Sequence, residues 1–341
     1  LNILTYEYLY NGGGVAVGDI NNDSLPDVFM VGNLFGGRLF LNKGNLQFEQ
    51  ISKTAGVFFP GYTTGVSMVD INEDGWLDIY LCRSLADQPE HRANVLLINN
   101  GDLTFTDRAA EYGLDDRSFS NHANFFDCDN DGDLDLYLLN HRVDFDDALT
   151  LKTYTDAQGH ERIFRDTARH HVSDRLYRNN GNGTFTDITR KAGMLNRAFG
   201  LSATAADINR DGWTDLYVAN DYADRDHLYI NNQDGTFTDR VADMFFHTSK
   251  NAMGSDIADF NNDGHPDLIT LDMMAEGNYR QKQLKGTGSY DRYQMAVAYG
   301  LSHQVMRNTL QLNNGDGTFS EIGQLAGICH TDWSWSPLLV D

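Results

Sequence analysis

The sequence predicts an all-β protein, a β-propeller of four-stranded blades, on three observations. A nine-residue frame with Asp at positions 1, 5 and 9 occurs five times, at residues 19–27, 70–78, 127–135, 207–215 and 259–267. Each copy is flanked by two short apolar runs of strand character. A second pair of runs follows, joined by a turn rich in Asn, Asp and Gly, the strongest short-range hairpin signal. Four short antiparallel strands recurring at steps of 51, 57, 80 and 52 residues fit propeller blades. A β-sandwich would not carry the same loop in every fourth strand.

In chain order, the runs before the loops begin at Val15, Val66, Ala123, Ala203 and Ser255, and those after them begin at Asp27, Asp78, Asp135, Asp215 and Asp267. The hairpins span Arg38–Phe48, Val95–Phe105, Arg175–Phe185, His227–Phe237 and Thr309–Phe319. Five complete repeats result, at about 11–55, 62–112, 119–192, 199–245 and 252–326. The start of a sixth is expected at 333–341, where Trp335-Ser-Pro-Leu-Leu-Val-Asp341 matches a first strand and a first loop residue. The opening run Ile3–Tyr10 is expected to be either a fourth strand for a closing blade or a leader packed against one. Two insertions, 141–174 and 272–307, fall between second and third strands, at the end of the blade opposite the acidic loops. Long loops on a rigid scaffold commonly carry binding. The second insertion sets Tyr279, Tyr290, Tyr293 and Tyr299 among Arg and Lys.

The nine-residue frame calls for a cation. Carboxylates about 4 Å apart repel by roughly 4 kcal/mol per pair at an effective dielectric of about 20, and five copies of that cost need a compensating charge. Hard oxygen donors at alternate positions, with Gly where the chain turns sharply, are calcium chemistry. The candidate ligands are Asp19, Asn21, Asp23, Leu25 and Asp27; Asp70, Asn72, Asp74, Trp76 and Asp78; and Asp127, Asp129, Asp131, Asp133 and Asp135. The last two sets are Asp207, Asn209, Asp211, Trp213 and Asp215, and Asp259, Asn261, Asp263, His265 and Asp267. About five Ca2+ sites follow. An EF-hand is excluded, because its closing Glu at position 12 is replaced by Met30, Leu81, Leu138, Val218 and Thr270.

Composition bounds the function. A net charge of −23 argues against nucleic acid, whose phosphates require a basic patch. No run approaches the length of a membrane span. Cys82, Cys128 and Cys329 are too scattered for a disulfide framework or a zinc site, and His170-His171 lacks a third ligand at recognisable spacing. Cys128 stands at loop position 2, whose side chain should point away from the metal. The chain begins at Leu1 rather than Met, so its true start is expected to lie elsewhere.

The loop together with the Asn-Asn-Gly-Asp-Gly-Thr-Phe hairpin at 313–319 resembles the FG-GAP/VCBS repeat, which builds the calcium-loaded propeller of integrin α subunits. The wording of Tyr217-Val-Ala-Asn-Asp221 and Leu228-Tyr-Ile-Asn-Asn232 is most similar to the cartilage acidic protein group, whose bacterial members often carry an ASPIC/UnbV segment. The resemblance spans nearly the whole chain. It implies a propeller that commonly closes with seven blades, so this chain is expected to be a fragment of a longer one with further domains.

The expected function is a calcium-stabilised binding module for a protein or glycan, secreted or displayed on a cell surface (periplasm or outer membrane in a bacterium). Calcium pinning fits millimolar extracellular calcium and not the cytosol. A polysaccharide-active enzyme such as a lyase, or a purely architectural repeat, are the alternatives. No nucleophile elbow, Walker loop or paired cysteine motif is present, so no catalytic residue is assigned. Polar residues where second strands exit (Asn33, Arg83, Asn140, His141, Asn220, Asp221 and Asp272) are candidates for a ligand site at the axial mouth. The competing reading is that they satisfy turn backbone.

Overall fold

The computed structural model describes residues 7–33, 36–86, 88–141, 153–163, 172–284 and 290–340. Five four-stranded antiparallel sheets form from the five repeats. The first sheet is β1 (Val15–Gly18), β2 (Asp27–Met30), β3 (Arg38–Asn42) and β4 (Phe48–Gln50). The second is β5 (Thr63–Val69), β6 (Asp78–Arg83), β7 (Val95–Asn99) and β8 (Phe105–Asp107). The third joins β9 (Ser120–Phe126) and β10 (Asp135–Asn140) to β13 (Arg175–Asn179) and β14 (Phe185–Asp187). In chain order a separate two-stranded ribbon, β11 (Thr153–Thr155) with β12 (Glu161–Ile163), comes between β10 and β13.

The fourth sheet is β15 (Phe199–Ala206), β16 (Asp215–Asp221), β17 (His227–Asn231) and β18 (Phe237–Asp239). After β19 (Thr248–Ser249) comes the fifth sheet, whose β20 (Ser255–Ala258) and β21 (Asp267–Thr270) pair with β23 (Thr309–Asn313) and β24 (Phe319–Glu321). β22 (Gln304–Val305) pairs in parallel with β19. The chain forms two compact units. Residues 1–143 and 171–190 hold the first three sheets, and residues 144–170 and 191–341 hold the last two.

Each sheet is a propeller-type blade, and the pattern of burial says why. In the third and fourth blades the second strand, β10 or β16, is buried at every residue. The centre of the second strand holds an enclosed aromatic in four blades, as Phe29, Tyr80, Tyr137 and Tyr217, three of them phenols. A buried phenol needs a partner, and each has one: Leu114 O at 2.9 Å, Asp174 Oδ2 at 2.9 Å and Asp226 Oδ2 at 2.6 Å. Within each unit, neighbouring blades pack through their first strands, β1 and β9 on either side of β5, and β15 against β20. Thr64 Oγ1 donates to Ser120 O at 2.7 Å and Ser67 Oγ to Ala123 O at 2.8 Å across one such seam. The approach is close enough that a Cβ on Gly65 would lie 2.5 Å from Asn121 O, so that position must be glycine. Among the described residues no helix is long and apolar enough to cross a membrane.

Residues 7–10 form a 3₁₀ turn and no strand, because the carbonyls of Tyr8 and Leu9 are taken by the Tyr62 hydroxyl, each at 3.0 Å; the rest of the opening run lies outside the described residues. The segment 335–340, expected to open a sixth repeat, carries no strand pairing and lies along the first strand of the fifth blade, with Leu339 N donating to Asp256 Oδ2 at 2.6 Å. Asp341 and His170-His171 fall outside the described residues. The second insertion is helical, with helices Asn278–Leu284 and Tyr290–Ala298.

Candidate metal centres at the loop ends of the blades

All five acidic frames adopt one backbone form. Position 6 is left-handed, at φ +86°, +98°, +85° and +87° for Gly75, Gly132, Gly212 and Gly264 and +67° for Ser24. Glycine adopts that region without strain, whereas Ser24 does so at a cost of about 1 kcal/mol. Position 4 is left-handed as well (Asn22, Glu73, Asn130, Arg210 and Asn262), a constraint the residue types alone do not reveal. These two reversals curl the chain around the side chain at position 1. In the second loop Asp70 accepts from Asp74 N at 3.1 Å and Gly75 N at 2.8 Å. Asp207 accepts from Asp211 N and Gly212 N, and Asp259 from Asp263 N and Gly264 N. Asp19 does the same with Asp23 N and Ser24 N. The seventh residues Leu25, Trp76, Trp213 and His265 donate their N–H to the fifth-position Asp at 2.8–2.9 Å, and Asp133 N reaches Asp131 Oδ1 at 3.1 Å.

Position 9 has two tasks. Asp27, Asp78, Asp135, Asp215 and Asp267 are all fully buried. One oxygen of each accepts the N–H of position 2 (Ile20, Ile71, Cys128, Ile208 and Phe260) at 2.8–3.3 Å. The other accepts the N–H of the Asn that ends the third strand (Asn42, Asn99, Asn179, Asn231 and Asn313) at 2.7–2.8 Å. The carboxylate therefore ties the loop to the third strand as well as facing the other acids. Burial raises its pKa, to about 7 for Asp78 and about 6 for Asp135 and Asp215.

The partner Asn has a second role that its place at the start of a turn conceals in the sequence. Its side chain braces the loop from below: Asn99 Nδ2 donates to Leu77 O at 3.1 Å and, across the blade seam, to Ile20 O at 2.8 Å. Asn313 Nδ2 likewise reaches Pro266 O and Ile208 O, both at 3.1 Å. The signal was the recurrence of this Asn in all five repeats, at the end of an alternating strand where an Asn side chain has no propensity reason to be.

The third loop is the most acidic. One carboxylate oxygen from each of Asp127, Asp129 and Asp135 lies within 4.8 Å of the others. Oδ1 of Asp127, Asp129 and Asp133 is buried with no hydrogen-bond donor. Burial, then the Asp131 carboxylate, raises Asp129, and the same causes raise Asp133 to about 6. Inward-facing, donor-free carboxylate oxygens are the donor set of a hard divalent cation, so these residues fit the ion the frame implies. In the other four loops position 3 is Asn, whose Nδ2 donates to the fifth-position Asp at 2.9–3.0 Å. Position 2 is buried beneath the loop as Ile20, Ile71, Cys128 and Ile208, and the Cys128 side chain hydrogen-bonds Asp135 in its own loop. Cys82 and Cys128 are buried thiols outside any disulfide.

At the opposite ends of the blades, the candidate ligand residues hold turn backbone. Asn140, His141, Asn220, Asp221 and Asp272 are buried. Asn140 Nδ2 donates to Ser173 O at 3.1 Å, and Asn220 Nδ2 to Arg225 O at 2.8 Å. Asp272 Oδ2 accepts from Ser249 Oγ at 2.6 Å and from Lys250 N and Asn251 N at 3.1 Å. Asp221 Oδ1 accepts from Tyr222 N at 2.7 Å, and His141 stacks on Tyr8 with ring centroids 5.0 Å apart. Asn33 and Arg83 likewise donate to main-chain carbonyls, Asn11 O at 2.6 Å and Pro60 O at 2.8 Å. Sequence reasoning also missed the residue just before the third strand in four of the five blades. Asn94, Asp174, Asp226 and Asn308 accept the N–H of Arg83, Asn140, Asn220 and Asp272 at 2.7–2.9 Å.

Blades of four antiparallel strands, each with an Asp-rich loop between its first two strands, define an acidic-loop repeat protein with a propeller-like fold. The family model described as an FG-GAP-like repeat matches residues 19–81, 167–218 and 207–270, and the chain belongs to the FG-GAP repeat family. Comparison with curated proteins finds no match. Among solved structures, the chain is similar to an Agrocybe aegerita lectin described as recognising non-reducing terminal N-acetylglucosamine, at 16% identity and a TM-score of 0.48 over 89% of this chain and 64% of that one. It is also similar to the V. cholerae biofilm matrix protein Bap1, at 12% identity and a TM-score of 0.39, covering 89% of this chain and 38% of that one. A third is the exotype rhamnogalacturonan lyase YesX, at 12% identity and a TM-score of 0.41, covering 91% of this chain and 48% of that one. The chain thus spans less than two thirds of each of these proteins.

Proposed function

We propose that the chain is a calcium-stabilised binding module of the extracellular space or cell surface, with a glycan or protein as its ligand. The observation that carries this reading is the third loop, where Asp127, Asp129 and Asp135 converge and inner carboxylate oxygens lack donors. The five loops would hold one Ca2+ each, through Asp19, Asn21, Asp23, Leu25 and Asp27 in the first loop and the corresponding residues in the other four. Bound calcium would neutralise the clustered carboxylates and lock the loop onto the third strand. The chain's own contribution is the scaffold: position-9 carboxylates fixed by two buried N–H groups, and left-handed turns that hold positions 1 and 5 inward.

Each site with free calcium at about 100 times its dissociation constant adds about 2.7 kcal/mol to folded stability. Millimolar calcium can supply that ratio and a cytosol cannot, which supports an extracellular placement. The membership in a repeat family and the buried ends of the blades favour a binder over an enzyme, with specificity carried by the insertions rather than by the β-sheet scaffold. Thermal unfolding with and without excess EDTA tests the reading. Chelation is expected to lower the melting temperature by tens of degrees, and an unchanged melt would refute the role given to calcium.

A further inference from the structure

Five Asn-Gly dipeptides occur in the chain, at 11–12, 100–101, 180–181, 182–183 and 314–315. Those beginning at Asn100, Asn180 and Asn314 open the turn after a third strand, and hydrogen bonds immobilise them there. Gly101 N, Gly181 N and Gly315 N donate to Oδ1 of Asn99, Asn179 and Asn313 at 3.0–3.2 Å. The side chains of Asn100, Asn180 and Asn314 are drawn across the turn. Nδ2 donates to Thr104, Thr184 and Thr318 Oγ1 at 2.9–3.1 Å, and Oδ1 accepts from the hydroxyls of Thr106, Thr186 and Ser320.

Asn182-Gly183 is built differently. It lies at the tip of the third blade's hairpin, with residues 180–184 all exposed. The second, fourth and fifth hairpins carry Asp102, Asp234 and Asp316 in its place. Asn182 Oδ1 accepts from Thr184 N at 3.1 Å and from Thr184 Oγ1 at 2.6 Å. A bond to the N–H two residues on folds the side-chain carbonyl over the intervening Gly183 peptide. Gly183 N has no acceptor among the described residues, and with no Cβ at Gly183 nothing obstructs a ring closing there. The remaining pair, Asn11-Gly12, is half-buried at Asn11, and no donor among the described residues reaches its side chain.

We propose that Asn182 is a site of spontaneous modification, converted through a succinimide to aspartate or isoaspartate while the hairpin is folded. Gly183 N bonds to Asn182 Cγ, the Cγ–Nδ2 bond breaks, and the amide nitrogen leaves as ammonia with the proton that Gly183 gives up. Water then opens the ring at either carbonyl. One cleavage restores the main chain as aspartate, and the other routes it through the side chain as isoaspartate. The sum is one water consumed and one ammonia released. Negative charge develops on Oδ1 in the tetrahedral intermediate, and both Thr184 donors point at that oxygen. The aspartate product matches the other hairpins, where the Thr104, Thr236 and Thr318 hydroxyls, then their N–H groups, hold Asp102, Asp234 and Asp316 below the usual carboxylate range. The isoaspartate product lengthens the backbone between Asn180 N and Thr184 O, which close the turn at 3.0 Å, and so loosens the hairpin. The reaction requires neither bound calcium nor a ligand.

The test is incubation of the whole folded chain in calcium-containing, mildly alkaline buffer. Peptide mass spectrometry follows the mass gain of deamidation at each Asn-Gly pair, and chromatography separates aspartate from isoaspartate peptides. Asn182 should convert several-fold faster than Asn100, Asn180 and Asn314. In guanidinium the hydrogen bonds that distinguish these pairs are lost, and their rates should become alike. Thr184→Val, which keeps the shape and removes the hydroxyl, should slow conversion of Asn182 several-fold without slowing Asn100 or Asn314, and Thr184→Ser should restore it. Thermal melts establish that each variant is folded; should Thr184→Val not fold, the comparison of folded with unfolded parent decides. Equal rates at Asn182, Asn100, Asn180 and Asn314 in the folded chain, a rank order unchanged in guanidinium, or a folded Thr184→Val chain that converts as fast as the parent would each overturn the proposal.

Discussion

The second and third acidic loops share a backbone path and differ in acid content, since positions 3 and 7 are Asn72 and Trp76 in one and Asp129 and Asp133 in the other. In the second, Asn72 Nδ2 donates to Asp74 Oδ2 at 2.9 Å, so one amide offsets a carboxylate inside the loop. In the third, Asp129 has no such hydrogen to give, and burial with the neighbouring Asp131 raises its pKa. The fifth loop shows the same contrast from the other side. There the His265 N–H, then the Asn261 side chain, hold Asp263 below its usual value. The lesson is that Asn at position 3 makes a loop partly self-sufficient, whereas Asp leaves its clustered carboxylates without that internal donor. A parallel contrast runs through the opposite ends of the blades, where the group before the third strand is Asn94 or Asn308 in two blades and Asp174 or Asp226 in two others.

These comparisons can be broken at several points. The largest effect should come from Asp215→Ala, which strands the buried N–H groups of Ile208 and Asn231. With calcium chelated, so that loss of a ligand is not what is read, the cost should be on the order of 3–5 kcal/mol. Calorimetry should then show the melt falling by roughly 10 °C. A loss no larger than that of an exposed substitution would mean that position 9 is not the anchor of the loop.

Asp226→Asn probes the opposite end. Burial raises Asp226 to about 7, above its unfolded value, so the folded state holds its proton more tightly than the unfolded state does. Stability from this group is therefore fully present below about pH 4 and is lost as pH rises towards 7. The Asn variant, which copies Asn94 and Asn308, should remove that slope and gain on the order of 1–2 kcal/mol at pH 7. Parallel stability–pH profiles for the two proteins would contradict it. Asp129→Asn should have the smallest effect. It restores the position-3 amide of the other loops beside the remaining Asp133, stabilising the calcium-free chain by about 1 kcal/mol while weakening the calcium affinity of that loop. Destabilisation in chelator would show that Asp129 is not burdened by its neighbours.

Much of the fold was legible because each repeat states it locally. Period-2 apolar runs, an Asp frame and a Gly-rich turn specify strand, loop, strand and hairpin without any long-range information. The left-handed fourth position was not legible, since Glu73 and Arg210 adopt it against their own preference. The role of Asn99 and its counterparts needed three dimensions, because the residues they brace are brought to them by strand pairing. The same holds for the strand-exit polar residues. Asn140, Asn220 and Asp272 look like an open polar ring in the sequence and are spent on turn backbone in the structure.

The most direct measurement of the central claim is a count of bound ions. Equilibrium dialysis against 45Ca2+ at millimolar concentration, with native mass spectrometry on the same sample, should find about five calcium ions per chain, the third loop filling first and Asp129→Asn abolishing that precedence. A chain that binds no calcium at that concentration, while its blades remain folded, would contradict the account.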